Sequence, residues 1–173
     1  MFATIYIPNF YLQAALRHQP ELYGVPVALI DDQETKAVII QLNDAAVTAG
    51  VRCGMTPSQG LARHLQLIVK TRLRTQEQTV DALLLHFACT LAPYVEATAP
   101  GVCTVQFTDA RHVLQNVERV IRQLAAASIV AQAGIAHTPD TSFLAAHLAK
   151  PVLQVDDAKD FLAPLPIETL TIA

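Results

Sequence analysis

Met1-Phe-Ala-Thr-Ile-Tyr-Ile-Pro-Asn-Phe-Tyr-Leu-Gln-Ala-Ala-Leu-Arg-His18 opens the chain and decides its fold class. Residues 2–7 are rich in β-branched and aromatic side chains and read as a strand, which Pro8 ends because proline has no amide hydrogen for a ladder. Residues 11–18 then set Leu12, Ala15 and Leu16 on one helical face. Strand followed by helix is the opening of an α/β fold.

The rest of the chain continues in the same alternation. Residues 25–30 and 37–42 are apolar runs on either side of Asp31-Asp32-Gln33-Glu34, a pattern that predicts a hairpin with a solvated polar turn. A short helix is expected from Asn43 to near Gly50, another from Pro57 and Ser58, a strand over 66–69 and a long amphipathic helix over 75–91. Two strands, 94–98 and 102–107, flank Pro100-Gly101, and Asp109 is placed to cap a helix running to about Ala127. A strand over 129–135, a helix over 140–148 and a short extended piece over 152–155 follow. Asp156-Asp157 cap the final segment, where Pro164 and Pro166 read as the start of a linker in a chain that stops mid-protein.

The chain has 173 residues, 52% of them apolar, enough to fill a sizeable core. No stretch reaches the roughly 18 apolar residues that span a bilayer, and the first residues lack a signal-peptide layout, so a cytoplasmic, membrane-free protein is expected. A net charge of -3 argues against holding nucleic acid by bulk charge. Cys53, Cys89 and Cys103 are odd in number and widely spaced, which predicts buried free thiols. The six histidines show no metal-ligand spacing, and no Ser or Cys sits in a Gly-rich elbow beside a His.

Four segments, in order, resemble the Y-family (translesion) DNA polymerases. Pro20-Glu-Leu-Tyr-Gly-Val-Pro-Val-Ala-Leu is similar to that family's P-x-L-x-G-x-P-V-A-V, and Ala49-Gly-Val-Arg-Cys-Gly-Met55 to its x-G-V-R-x-G-M, whose glycines supply turns that a Cβ would obstruct. Gly134-Ile-Ala and Ala149-Lys-Pro151 match the family's G-I-(S/A) and (A/S)-K-P at the family's spacing. The resemblance implies a palm with a mixed sheet and helices on one side, formed by residues 1–9 and 76–160. A small α/β fingers lobe over 10–75 would be inserted after the first strand, and 161–173 would lead toward a missing C-terminal region.

The same resemblance implies a lost active site. Polymerase chemistry holds two divalent metals on carboxylates, yet Pro8 falls on the first Asp, and Gly101 and Val102 fall on the adjacent Asp and Glu. At the triphosphate contacts Asp44 replaces a Tyr, Val47 an Arg and Phe143 a Lys, while Gln13 takes the aromatic position that excludes ribonucleotides. Retained scaffold and erased site together resemble the ImuB group of bacterial mutagenesis proteins. By that resemblance the whole protein is a cofactor-free accessory factor bridging the sliding clamp, an error-prone C-family polymerase and a RecA-like partner, with DNA bound mainly through parts outside this chain.

Other readings remain open at this point. Asp31, Asp32, Asp44, Glu96, Asp109, Asp156 and Asp157 could serve a rebuilt metal site in an active nucleotidyltransferase only if several converged. Lys70, Arg72 and Arg74 alternate after an expected strand and could face a phosphate backbone, with Arg52 and Arg63 beside them, or could form a solvated edge. An interaction domain unrelated to DNA would be favoured if the first strand and the strand at Val102 were not neighbours.

Overall fold

The computed structural model describes residues 1–31 and 37–172, with side chains over 1–31 and 37–169. The elements run β1 (Phe2–Tyr6), α1 (Phe10–Leu16), β2 (Val27–Ile30), β3 (Ile39–Leu42), α2 (Asp44–Thr48), α3 (Pro57–Arg63), β4 (Ile68–Thr71) and α4 (Arg74–Ala88). They continue with β5 (Tyr94–Ala99), β6 (Val102–Gln106), α5 (Val113–Ala126), β7 (Gln132–Ala136), α6 (Pro139–Leu148), β8 (Val152–Gln154) and α7 (Ala158–Leu162). Two compact units divide them, Met1–Pro8 with Val80–Ala173 and, separately, Asn9–Thr79. The mixed α/β class expected from the opening residues is the one observed.

The first unit is built on a five-stranded sheet of order β5-β6-β1-β7-β8, antiparallel except for the parallel pair β7–β8. Both faces of the central strand β1 are buried, with Ala3 and Ile5 on one and Thr4 on the other. On the Thr4 face α6 lies directly over β7. A Cβ built on Gly134 would collide with the backbone of α6 at Ser142, Ala145 and Ala146, so only glycine permits this approach. Thr4 hydrogen-bonds Ser142 of α6 at 2.8 Å and Thr104 of β6 at 3.1 Å, which pins three elements at one register. α5 turns Val113, Val117, Val120, Ile121 and Leu124 inward at helical spacing. Phe161 of α7 packs on the cluster of Ala136, Ala145 and Val155, and residues 167–172 form a 3-10 helix.

Asp109 does not cap α5. That helix begins at Val113 after His112, which has a left-handed φ of 59°, and Asp109 instead accepts the amide and guanidinium of Arg111. The Arg111 hydrogen bonds hold the Asp109 carboxyl below the usual carboxylate range. Local bonding two residues away wins over a cap three residues further on. Asp157 does cap α7, accepting from the amides of Lys159 and Asp160.

The second unit has a three-stranded sheet of order β3-β2-β4, with β2–β3 antiparallel, as the hairpin pattern predicts, and β2–β4 parallel. Asp32, Gln33 and Glu34 lie outside the described residues. Asp31 contradicts its reading as a solvated turn residue, because its side chain is 12% exposed and accepts from Arg72 at 2.8 Å. The Arg72 guanidinium also bonds both oxygens of Glu77, at 2.8 and 2.7 Å, and lies 3.8 Å from the ring centroid of Tyr11. Its side chain is 11% exposed, and the Glu77 hydrogen bond raises its pKa further. Arg72 is therefore a buried structural cation, not part of a phosphate-facing row. A guanidinium suits this role because its planar fork meets two carboxylates and a ring at once.

The thiols also differ from expectation. Cys103 is buried, but Cys53 and Cys89 are exposed, and no disulfide joins the three. Burial pushes the Cys103 thiol up to about 12.

Three outcomes are expected. A thiol-reactive dye should label Cys53 and Cys89 in the native chain and reach Cys103 only after denaturation; fast labelling of all three would contradict the packing. Gly134→Ala should cost roughly 3 kcal/mol or more in urea unfolding. Arg72→Met should cost about 3–5 kcal/mol because it removes the buried guanidinium that Asp31 and Glu77 share and leaves only the half-exposed Arg74 beside them, whereas Arg74→Ala should stay within about 1 kcal/mol.

Candidate functional site

The end of β1 and the tip of the β5–β6 hairpin meet at one place. Tyr6 is opposite Val102 in the ladder, and the Ile7 amide donates to the Gly101 carbonyl at 2.9 Å. The neighbouring strands required by the polymerase resemblance are thus present. Pro100 and Gly101 form the connecting turn, and the Gly101 φ of 74° suits the third position of a type II turn, which favours glycine. The Gly101 amide donates to Asp81 Oδ1 of α4 at 2.8 Å.

This is where the resemblance puts the metal-binding carboxylates, and the residues present do not fit metal ions. Pro8 and Gly101 have no side-chain oxygen, Val102 is apolar and 6% exposed, and both backbone polar groups of Gly101 are engaged within the protein. Two hard divalent cations need several converging oxygens. Among the described residues no group of three or more His, Cys, Asp or Glu side chains converges anywhere. Asp81 is the carboxylate that bonds this turn, and no motif points to it, since it sits mid-helix twenty residues from its partner.

Phe143 lies on α6, half-buried, with its ring centroid 4.4 Å from that of His147, which in turn stacks on Tyr6 at 3.9 Å. His147 Nδ1 is 2.9 Å from the Phe143 carbonyl. Burial raises the Tyr6 pKa. Where the resemblance puts a phosphate-contacting Lys, the side chains form an aromatic column with no fixed positive charge.

In the second unit Asn43 caps α2 and ties it to β2, accepting from the amides of Ala46 and Val27 and donating to the Val25 carbonyl. It thereby orients Asp44 and Val47, both exposed on the same short helix, with Val47 52% exposed. Gln13 is half-buried on α1. Gly50 and Gly54 have φ of 82° and 84°, yet a Cβ on either would meet nothing within 4 Å. Their left-handed φ bears out the turns expected from the motif: a Cβ would be obstructed by the local backbone itself, with no crowding from more distant residues.

The cationic row does not form one. Lys70 lies on β4, Arg72 is enclosed by Asp31 and Glu77, and Arg74 begins α4, where it also bonds Asp31 at 3.3 Å. Arg52 and Arg63 are exposed on separate segments.

The impB/mucB/samB family model matches residues 5–147. The chain is 28% identical over 174 aligned residues to DNA polymerase IV of Pseudomonas savastanoi pv. phaseolicola, covering 93% of this chain and 48% of that protein. It is 29% identical to DNA polymerase IV of Pseudomonas syringae pv. tomato at the same coverages. It therefore spans about half the length of these relatives. DinB from Sulfolobus solfataricus superposes with a TM-score of 0.84 at 16% identity, covering 97% of this chain and 52% of that one. A post-insertion binary complex of Dbh DNA polymerase gives 0.86 at 16% identity, with the same coverages. The adjoining strands at Tyr6 and Val102, the shared fold and the family match over most of the residues agree, and the chain belongs to the impB/mucB/samB family, relatives of the Y-family DNA polymerases.

Proposed function

We propose that this chain is part of a catalytically inactive Y-family homologue that serves as an accessory scaffold in error-prone translesion synthesis and damage-induced mutagenesis. The observation that carries this reading is the turn where Ile7 bonds Gly101: Pro8, Gly101 and Val102 offer no side-chain oxygen to a metal ion. The exposed Asp44 and Val47 support it, since an acid would repel a triphosphate and a valine cannot contact one. The Phe143–His147–Tyr6 column supports it again, by filling a phosphate-side position with rings.

In this reading residues 1–9 and 76–160 are the palm, 10–75 the fingers, and 161–173 lead to a further region. The likeness to the ImuB group points to a sliding clamp, a C-family polymerase and a RecA-like protein as partners, acting in the cytoplasm. Dbh has been captured in binary and insertion ternary complexes. By analogy the whole protein here engages template-primer, chiefly outside this chain. Among the described residues no helix is long and apolar enough to cross a membrane.

The competing reading, an active enzyme with a rebuilt site, has one observation in its favour, the Asp81 carboxylate at Gly101. Primer extension by the full-length protein with Mg²⁺ or Mn²⁺, run beside a template-primer binding assay, separates the two. Bound DNA without incorporation is expected. Incorporation that is abolished by Asp81→Asn or Asp44→Asn would overturn the scaffold reading.

A further inference from the structure

We propose that an uncovered shelf between the β5 edge and the start of α6 docks a proline-containing peptide segment that carries a basic side chain. The register places Tyr94, Gln106 and Phe2 side by side across β5, β6 and β1, with Glu96 and Thr104 in the next row toward Thr4. All five side chains share one face because directly opposed residues in a ladder point the same way. On that face α6 covers β1 and β7, but the β5–β6 side is open. A cavity of about 320 Å³ opens there, lined by Phe2, Pro93, Tyr94, Glu96 and Gln106, and bounded by Pro139 at the first turn of α6.

The lining selects the occupant by chemistry. Two aromatic rings and two pyrrolidine rings give it apolar walls beside the polar Glu96 and Gln106, and Tyr94 is 61% exposed there. Polyproline II segments suit such surfaces, because they are already extended and lose little entropy on docking. A proline-rich segment has few amide hydrogens to satisfy but many free carbonyls, and the Tyr94 hydroxyl and Gln106 amide are donors. Glu96 is the only charged group in the lining, is exposed, and makes no ion pair among the described residues. A carboxylate there repels a phosphate backbone and favours a lysine or arginine flanking the prolines. The shelf is made by residues apart from the Gly101 turn, so this inference holds whether or not the chain is catalytically silent.

Fluorescence anisotropy with the whole 173-residue chain tests it. The probes are an oligoproline peptide flanked by arginines, the same peptide flanked by glutamates, and a short DNA duplex. Saturable binding of the arginine-flanked peptide is expected, weakened about tenfold or more by Tyr94→Ala, as for an exposed aromatic anchor. Glu96→Lys should shift the preference to the glutamate-flanked peptide. Both sites are on the surface, and an unchanged thermal midpoint verifies folding; the charge reversal carries the test if Tyr94→Ala is unstable. Absence of saturable binding, binding indifferent to both substitutions, or displacement of the peptide by the duplex would overturn the proposal.

Discussion

A side chain at residue 134 has nowhere to go, because the α6 backbone already occupies the space beside β7. That close approach brings Ser142 within reach of Thr4 on the central strand, and a one-way chain of hydroxyls follows from it. Ser142 gives its only hydrogen to the Pro139 carbonyl at 2.7 Å, so Thr4 must donate to Ser142, Thr104 to Thr4, and Thr98 to Thr104. The chain crosses β5, β6 and β1 and ends in the first turn of α6. A one-residue slip of any strand would turn its threonine to the other face and break the series. The positions of Ile7, Gly101 and Val102 are therefore fixed by a polar register as well as by apolar packing.

The backbone of that turn is hydrogen-bonded on both sides of Gly101. Clustered carboxylates repel one another and need a cation to offset the repulsion. Pro8, Gly101 and Val102 remove the repulsion, and Asp81 satisfies the one amide that the turn would otherwise leave open. Arg72 plays the comparable part in the second unit. It joins Tyr11, near where the chain enters that unit, to Glu77, near where it leaves, and to Asp31 at the end of β2. In each unit the buried polar groups at these points are paired within the unit itself.

The sequence disclosed the elements that have a local signal. Pro8 ended a strand, Asn43 began a helix, Asp157 capped one, and Pro100-Gly101 marked a turn, because each acts on residues next to it. Gly134 was visible through its motif, though its reason, the helix backbone at Ser142, Ala145 and Ala146, was not. Pairings across long separations left no pattern to read. Asp31 looked like one acid in a run of polar turn residues, and Arg72 like the middle of a cationic row; their partnership spans forty-one residues. Asp81 escaped for the same cause. At the candidate site, missing oxygens could be read directly from residue types, whereas the group that replaces their hydrogen bonding required the fold.

The placement of α6 also decides which surfaces remain available. By lying tight on β1 and β7 it uses that half of the sheet face for packing, and its last turn carries His147 into the stack with Tyr6 and Phe143. The half over β5 and β6 keeps Tyr94, Glu96 and Gln106 in contact with solvent. That half presents rings, the Gln106 amide and the Glu96 carboxylate, and among the described residues no cation lines it. Under the proposed docking, the one carboxylate Glu96 would serve both ends, attracting a basic peptide and repelling a phosphate backbone.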